Sequence, residues 1–384
     1  MRLLFSAGEA SGEAYGASLI TALRNLLGPS QNNVDFFGVG GRQMEQAGCE
    51  LVVNAKEIAV VGLAEVVEHL PRIYRLFHQV VQEAERRRPD AAVVIDFPDF
   101  NFRLAGELHK RNIPVIYYVS PQLWAWRPSR IELVRKYVRK MLVIFPFEVD
   151  YYRQHGIEAE FVGHPLTDDA ALPTPNREKF ACQYSLPLEK LWIALLPGSR
   201  RGEVSRIFPR LLETAKLLGP EYVYITPVAS TLDPEWMKTL LEKHSGPPIR
   251  LSSDARASLA LCRAAAVASG TSTVEAALLN TPFAMVYQVA PLTWRLGRRL
   301  VKLDRFAMPN LIAGRDVVPE LVQAGFTPER LCAALKTILP DGPARAAMIS
   351  GLADVRRALQ SPDQRISASE RAACAVLQAL GQTA

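Results

Sequence analysis

Short apolar runs alternate with amphipathic stretches along the whole chain, and this alternation is its most constraining feature. Runs such as Ala91–Ile95 and Leu191–Leu196 contain no polar residue. A strand that is apolar on both faces must be covered on both, as in a parallel sheet between layers of helices. The intervening stretches have helical spacing. Val66, Leu70, Ile73, Phe77, Val80 and Ala84 fall on one face of a predicted helix over 62–88, with Pro71 as a kink or restart. The pattern predicts an α/β protein of βαβ units.

Predicted strands in the first half are Arg2–Ala7, Phe36–Val39, Ala91–Ile95, Pro114–Val119 and Lys140–Phe145, with Phe161-Val162 opening a last one. Residues 164–190 are poor in apolar runs and hold Pro165, Pro173, Pro175 and Pro187, which suits a linker. The pattern then restarts with Leu191–Leu196, Tyr222–Thr226, Ala264–Ala268 and Pro282–Tyr287. A length of 384 residues is long for one core, so two domains follow. The expected division is residues 1–165, a linker over 166–190, a second domain over 191–342, and C-terminal helices over 343–384 that pack back on the first domain. Two doubly wound sheets facing one another leave a cleft, and ligands bind at the carboxyl ends of the strands that line it.

Several function classes lose support. With 49% hydrophobic and 22% charged residues the chain is not disordered. No apolar run reaches the ~18–20 residues that span a bilayer, and the run Leu3–Phe5 is too short for a signal peptide. A cytoplasmic protein is expected. The five cysteines (Cys49, Cys182, Cys262, Cys332, Cys374) form no C-x-x-C pair, so neither a disulfide framework nor a zinc site is suggested. The formal net charge of +6 favours anionic partners. Nucleic acid is disfavoured, because the basic residues are not interleaved with stacking aromatics.

Four strand ends carry the chemistry. Gly8-Glu9-Ala10-Ser11-Gly12-Glu13 is a tight turn into a helix, but it lacks the dinucleotide spacing G-x-G-x-x-G. Glu9 there suits sugar hydroxyls better than phosphate, and the plainer alternative is a turn with Ser11 or Glu13 capping the helix. Ile95-Asp96-Phe97-Pro98-Asp99-Phe100-Asn101 delivers a carboxylate at the end of a buried strand. Apolar neighbours favour a general base at Asp96, whereas Asp99 also fits a helix cap. In Pro197-Gly198-Ser199-Arg200-Arg201-Gly202-Glu203, backbone N–H groups and an arginine can grip a phosphate. In Ser269-Gly270-Thr271-Ser272-Thr273-Val274-Glu275, a second such turn precedes a glutamate that can take ribose hydroxyls. Together they point to a diphosphate. Basic residues at 130–141, at 294–305 and at Arg86-Arg87-Arg88 suit either an anionic membrane or a solvated face. Among the six histidines, His164 alone stands at a strand end beside the linker.

Taken together, these stretches resemble the lipid-A-disaccharide synthases, inverting glycosyltransferases of the GT-B fold with two Rossmann-like domains. The resemblance covers essentially the whole chain. It also rests on the aromatic stretch Tyr118-Val119-Ser120-Pro121-Gln122-Leu123-Trp124-Ala125-Trp126-Arg127 and on Pro309-Asn310-Leu311-Ile312-Ala313-Gly314-Arg315. Two positions depart from the family pattern: Glu13 stands where Asp is usual, and Tyr117 where His is frequent.

The resemblance implies transfer of diacylglucosamine from UDP to diacylglucosamine 1-phosphate, with a β-1,6 linkage and release of UDP. Asp96, with Asp99 as the other candidate, is then the base. Ser199, Arg200, Gly270, Thr271, Ser272, Glu275 and Asn310 hold the nucleotide sugar, and Glu9, Ser11, Asn101 and Trp124 meet the acceptor. No cofactor or metal is implied. The partners are the two lipid substrates and the anionic cytoplasmic face of the inner membrane of a Gram-negative bacterium, and a homodimer is compatible with the resemblance. The rival readings are another UDP-sugar enzyme of this fold, such as a 2-epimerase or a polyprenyl-lipid sugar transferase, and a peripheral membrane protein that binds without turnover.

Overall fold

The structure is a computed structural model that describes residues 1–384 except 29–33, 59–62, 126–127, 243, 292–293, 296–303, 364 and 383–384. It divides into two units, Met1–Asp168 with Leu359–Ala384, and Asp169–Ala358.

The first unit is built on a seven-stranded parallel sheet. Its elements are β1 (Arg2–Ala7), α1 (Ala10–Leu27), β2 (Asp35–Gly40), α2 (Arg42–Gln46), β3 (Glu50–Asn54), α3 (Leu63–Arg87), β4 (Ala91–Ile95), α4 (Pro98–His109), β5 (Val115–Tyr118), α5 (Ile131–Tyr137), β6 (Lys140–Val143), α6 (Pro146–Gln154) and β7 (Ala159–Phe161). The strand order is β3-β2-β1-β4-β5-β6-β7. Winding starts at β1, runs outward to β3, then returns to β4 beside β1 and runs the other way. The reversal leaves a crevice above the carboxyl ends of β1 and β4. β4 is wholly apolar because both its faces are covered, and every residue of Ala91–Ile95 is 0% exposed; β1 is buried from Leu3 to Ala7.

After α7 (Leu166–Ala170) and α8 (Arg177–Tyr184), the second unit repeats the plan. It comprises β8 (Leu191–Leu196), α9 (Arg201–Leu218), β9 (Tyr222–Pro227), α10 (Pro234–Leu241), β10 (Ile249–Ser252), α11 (Ala255–Leu261), β11 (Ala264–Ala268), α12 (Thr271–Leu278), β12 (Phe283–Tyr287), α13 (Met308–Ala313), β13 (Glu320–Val322), α14 (Pro328–Ile338) and α15 (Pro343–Leu359). The order β10-β9-β8-β11-β12-β13 places its switch point between β8 and β11.

Two expectations on organisation change. The proline-rich stretch 166–190 holds α7 and α8 and is not a bare linker; Asn176 caps α8 through the Lys179 N–H at 2.7 Å. Of the C-terminal helices, residues 343–358 of α15 group with the second unit, while α16 (Ala368–Ala379) packs on α1 in the first. The Asp168 carboxylate anchors the start of α16, accepting from the Ala368 N–H at 3.0 Å and the Ser369 hydroxyl at 2.8 Å.

Candidate functional site

The motifs at Gly8 and Asp96 meet at the first switch point, at the ends of the paired strands β1 and β4. A Cβ on Gly8 would stand 2.3 Å from the Phe97 ring, so only glycine lets that ring lie on the first turn. Phe97 stacks on Phe100 at 5.4 Å. The backbone here is strained. Asp96 (φ 44°), Phe97 (φ 51°) and, at the end of β5, Val119 (φ 60°) are left-handed without being glycine. Each such residue costs of order 1–3 kcal/mol, and the surrounding structure must hold it. The Asp96 N–H donates to the Tyr118 and Val119 carbonyls, both at 3.3 Å. The Asp96 carbonyl accepts from the Asn101 amide at 2.7 Å and the Tyr117 hydroxyl at 2.8 Å.

The two aspartates differ in setting. Asp96 is half-buried. Asp99 lies in the first turn of α4 behind Pro98, largely exposed, and is ion-paired with Arg130. Asn101, expected at the acceptor, is 0% exposed. Its amide also meets Ser6, Ile95 and Asp96, with the Ser6 hydroxyl donating to Oδ1 at 2.6 Å. It therefore braces the Asp96 turn from inside the fold. Glu9 is the exposed N-cap residue of α1, and Ser11 is half-buried in its first turn. Glu13 caps α2 instead of its own helix, accepting the Gln43 N–H at 2.8 Å.

Trp124 lies beyond β5, half-buried, with its indole edge-on to Phe147 at 5.0 Å. Its Nε1–H donates to Glu148 at 3.2 Å. Glu148 is 0% exposed, and burial pushes its carboxyl up to about 8. Sequence reasoning passed over it, because only its place three residues after the helix start at Phe145 signals a cap. His164 is also buried and is pushed down to about 3 by burial; its Nδ1 accepts the Leu166 N–H at 3.2 Å. Its surroundings fit a neutral structural residue, packed edge-on to Tyr15.

The second switch point carries the other two turns, after the paired strands β8 and β11. Gly198 is left-handed (φ 112°), and a Cβ there would stand 2.1 Å from a Glu203 oxygen. Glu203 folds back over the turn to accept the Ser199 N–H at 3.3 Å, and burial raises its carboxyl pKa. The turn is thus an N–H cradle engaged by the chain's own carboxylate. Exposed Arg200 is the N-cap residue of α9. At the other turn, Gly270 is the N-cap residue of α12 and Thr271 its first residue, both exposed; no side chain caps this end. Ser272 is half-buried beside them. Helix N–H groups that no side chain caps suit an anion. Glu275, one turn in, is pushed up to about 7 by burial, with repulsion from Asp169 and Asp254 adding to it and Arg256 opposing it. Asn310, expected at the nucleotide sugar, is 1% exposed. It accepts the Val317 and Val318 N–H groups at 2.7 and 2.9 Å and donates to Val318 and Glu320, so it ties a loop together.

The basic surface is partly neutralised. Arg86 and Arg87 pair with Glu83, each at 2.7 Å, and Lys140 pairs with Glu160 at 2.9 Å. Residues 296–303 of the other basic stretch, and Trp126 and Arg127 of the aromatic one, lie outside the described residues. Among the described residues, no group of three or more His, Cys, Asp or Glu is placed to hold a metal ion, and no helix is long and apolar enough to cross a membrane.

Two parallel sheets of this winding define the class: a GT-B glycosyltransferase fold. The glycosyltransferase of kitacinnamycin superposes with a TM-score of 0.66 at 16% identity, covering 99% of each chain. UDP-GlcNAc 2-epimerase from Neisseria meningitidis, solved with UDP-GlcNAc, gives 0.65 at 12% identity over 99% of each chain. Sequence comparison then narrows the class. The family described as lipid-A-disaccharide synthetase matches residues 3–375. The lipid-A-disaccharide synthase of Koribacter versatilis is 59% identical over 98% of both chains, and that of Acidobacterium capsulatum is 46% identical over 94% of this chain and 92% of its own. The chain belongs to the lipid-A-disaccharide synthetase family. It is a glycosyltransferase of lipid A synthesis, working on nucleotide-sugar and lipid-linked sugar substrates.

Proposed function

We propose that the chain moves 2,3-diacylglucosamine from UDP to the 6-hydroxyl of 2,3-diacylglucosamine 1-phosphate, with Asp96 as the base. Asp96 takes the hydroxyl proton, and the oxygen attacks the anomeric carbon. The bond from that carbon to the UDP β-phosphate breaks on the opposite face, and UDP leaves with the electron pair. Inversion makes the product linkage β. Arg200 and the N–H groups at Gly270-Thr271 stabilise the departing diphosphate. Glu275 takes ribose hydroxyls, and Glu9 and Ser11 take sugar hydroxyls of the acceptor. The observation that carries this reading is the left-handed Asp96 turn at the first switch point, fixed through its carbonyl by Tyr117 and Asn101. Asp99, tied to Arg130, is the weaker candidate.

The test is incubation with both lipids, read by mass spectrometry. The wild type is expected to form the disaccharide, and Asp96→Asn to bind UDP normally without forming it. Turnover by Asp96→Asn, or equal turnover of non-acylated sugars, overturns the assignment. The chain is further proposed to work at the cytoplasmic face of the inner membrane, where its lipid substrates lie. Sedimentation with anionic vesicles is expected at low salt and should weaken at high salt. A homodimer is read by light scattering.

A further inference from the structure

Among the described residues of the first unit, the fully buried acid has no part in the reaction just described. Glu148 is 0% exposed, and a carboxyl is taken out of water only where its partners are fixed. One oxygen accepts from the Trp124 indole N–H at 3.2 Å and the other from the Phe145 N–H at 3.2 Å. Next to this pair, the Ser120 hydroxyl donates to the Pro121 carbonyl at 3.0 Å and lies 2.7 Å from the Tyr152 hydroxyl. An ordinary helix-capping glutamate needs only backbone N–H groups; this one is also placed beneath an indole. Above it, Trp124 meets Phe147 edge-on at 5.0 Å, and Phe147 stacks on buried Phe145 at 5.7 Å with ring planes 7° apart. Trp124 and Phe147 are each half-buried, so neither residue is fully enclosed by the fold. The segment leading to them is tied to the Asp96 turn, because the Asp96 N–H bonds to the Tyr118 and Val119 carbonyls.

We infer that Trp124 and Phe147 form an aromatic ledge that receives the acylated sugar acceptor, and that Glu148 is a positioning residue holding the ledge through the indole N–H. With its polar edge turned inward, the indole offers ring surface to the apolar side of a ligand. An acylated glucosamine has such a side in its ring C–H face and its chains. This inference rests on the reading that the first unit takes the acceptor.

The test is a double-mutant cycle on acceptor KM in the full chain. Trp124→Phe keeps a ring and loses the N–H, while Glu148→Met keeps the volume and loses the acceptor. Each is expected to raise acceptor KM about fivefold, the size of one lost hydrogen bond, with kcat and UDP affinity unchanged. The double variant is expected to be no worse than either single, because both remove one contact. Glu148→Gln, which keeps an oxygen for the indole, is expected to stay within about twofold of wild type, and Phe147→Ala to raise KM about tenfold. Multiplying effects in the double variant, a fall in kcat at constant KM, or a loss of UDP affinity overturns the inference. Should Glu148→Met not fold, a Glu148→Gln KM as poor as that of Trp124→Phe overturns it, and a wild-type-like KM supports it. Acceptor binding measured without donor tests the ledge even if no disaccharide forms, so failure of the reaction and failure of the ledge read separately.

Discussion

The Tyr117 hydroxyl donates to the Asp96 backbone carbonyl at 2.8 Å, and through that bond a strand residue holds the turn that carries the proposed base. Tyr117 is fully buried, and burial, with Asp96 next in effect, raises its hydroxyl pKa well above the usual value. It remains a donor throughout the working pH range. Tyr117→Phe removes one of two donors to a strained left-handed residue. The expected loss is about 1 kcal/mol of stability. Turnover should fall roughly fivefold with UDP affinity unchanged, since 1.4 kcal/mol corresponds to a factor of ten. Thermal unfolding and steady-state rates check both, and an unchanged kcat would remove Tyr117 from the positioning of Asp96.

Gly8 gives a second handle on the same turn. An added Cβ would stand 2.3 Å from the Phe97 ring, so the ring must move and take the Asp96-Phe97 backbone with it. Gly8→Ala is expected to lose about 1–3 kcal/mol of stability, the usual cost of overpacking. Activity should fall by more than that loss of folded protein explains. Gly8→Ala combined with Phe97→Leu, whose side chain is smaller and can move aside, should recover part of the stability. Calorimetry on the single and double variants decides; no recovery would mean that the collision is not the cause.

The central strands and the turns after them were legible because burial on both faces leaves an unbroken apolar run, and a glycine or aspartate after such a run stands out. The edge strands β3, β10 and β13 were not. Glu50–Asn54, Ile249–Ser252 and Glu320–Val322 are short and mix polar with apolar residues, since an edge is covered less completely. Polar residues within motifs gave no sign of which way they face. Asn101 and Asn310 read as ligand contacts, yet both spend their amides inside the fold. Glu148 was passed over, because the indole that bonds to its buried carboxyl lies 24 positions away.

Glu148, Glu275 and His164 contribute to the pH dependence of stability with opposite signs. Glu148, raised to about 8, and Glu275, raised to about 7, hold protons in the folded chain that the unfolded chain has released above a pH of about 4.5. The folded state binds more protons, so stability falls as pH rises from about 4.5 to about 8. His164, lowered to about 3, acts on the other side. It is neutral when folded and protonated when unfolded below about 6.5, so its contribution is lost as pH falls through that window. Glu148→Gln should flatten the alkaline limb and His164→Asn the acid limb. Denaturant unfolding at a series of pH values tests the signs, and an alkaline limb unchanged in Glu148→Gln would mean that this carboxyl is ionised in the folded chain.

Glu203 yields the sharpest ligand test in the second unit. Its carboxylate accepts the Ser199 N–H at 3.3 Å, beside Arg200, in the turn proposed to face the UDP diphosphate. Two anions sharing one cradle repel, so an ionised Glu203 weakens UDP binding. Burial raises its pKa, so the repulsion develops with rising pH as the carboxyl loses its proton. Glu203→Gln keeps an oxygen for the Ser199 N–H and removes the charge. UDP affinity should therefore match the wild type at the acid end and exceed it at the alkaline end, by about threefold to tenfold for a screened charge pair. Comparing the two proteins at each pH cancels the titration of UDP itself. Arg200→Lys should weaken UDP binding about tenfold at every pH, because an ammonium cannot make the two parallel bonds of a guanidinium. Isothermal titration across the pH range separates the cases. Weaker UDP binding by Glu203→Gln at all pH values would make Glu203 a brace that shapes the cradle, with no part as a competitor for it.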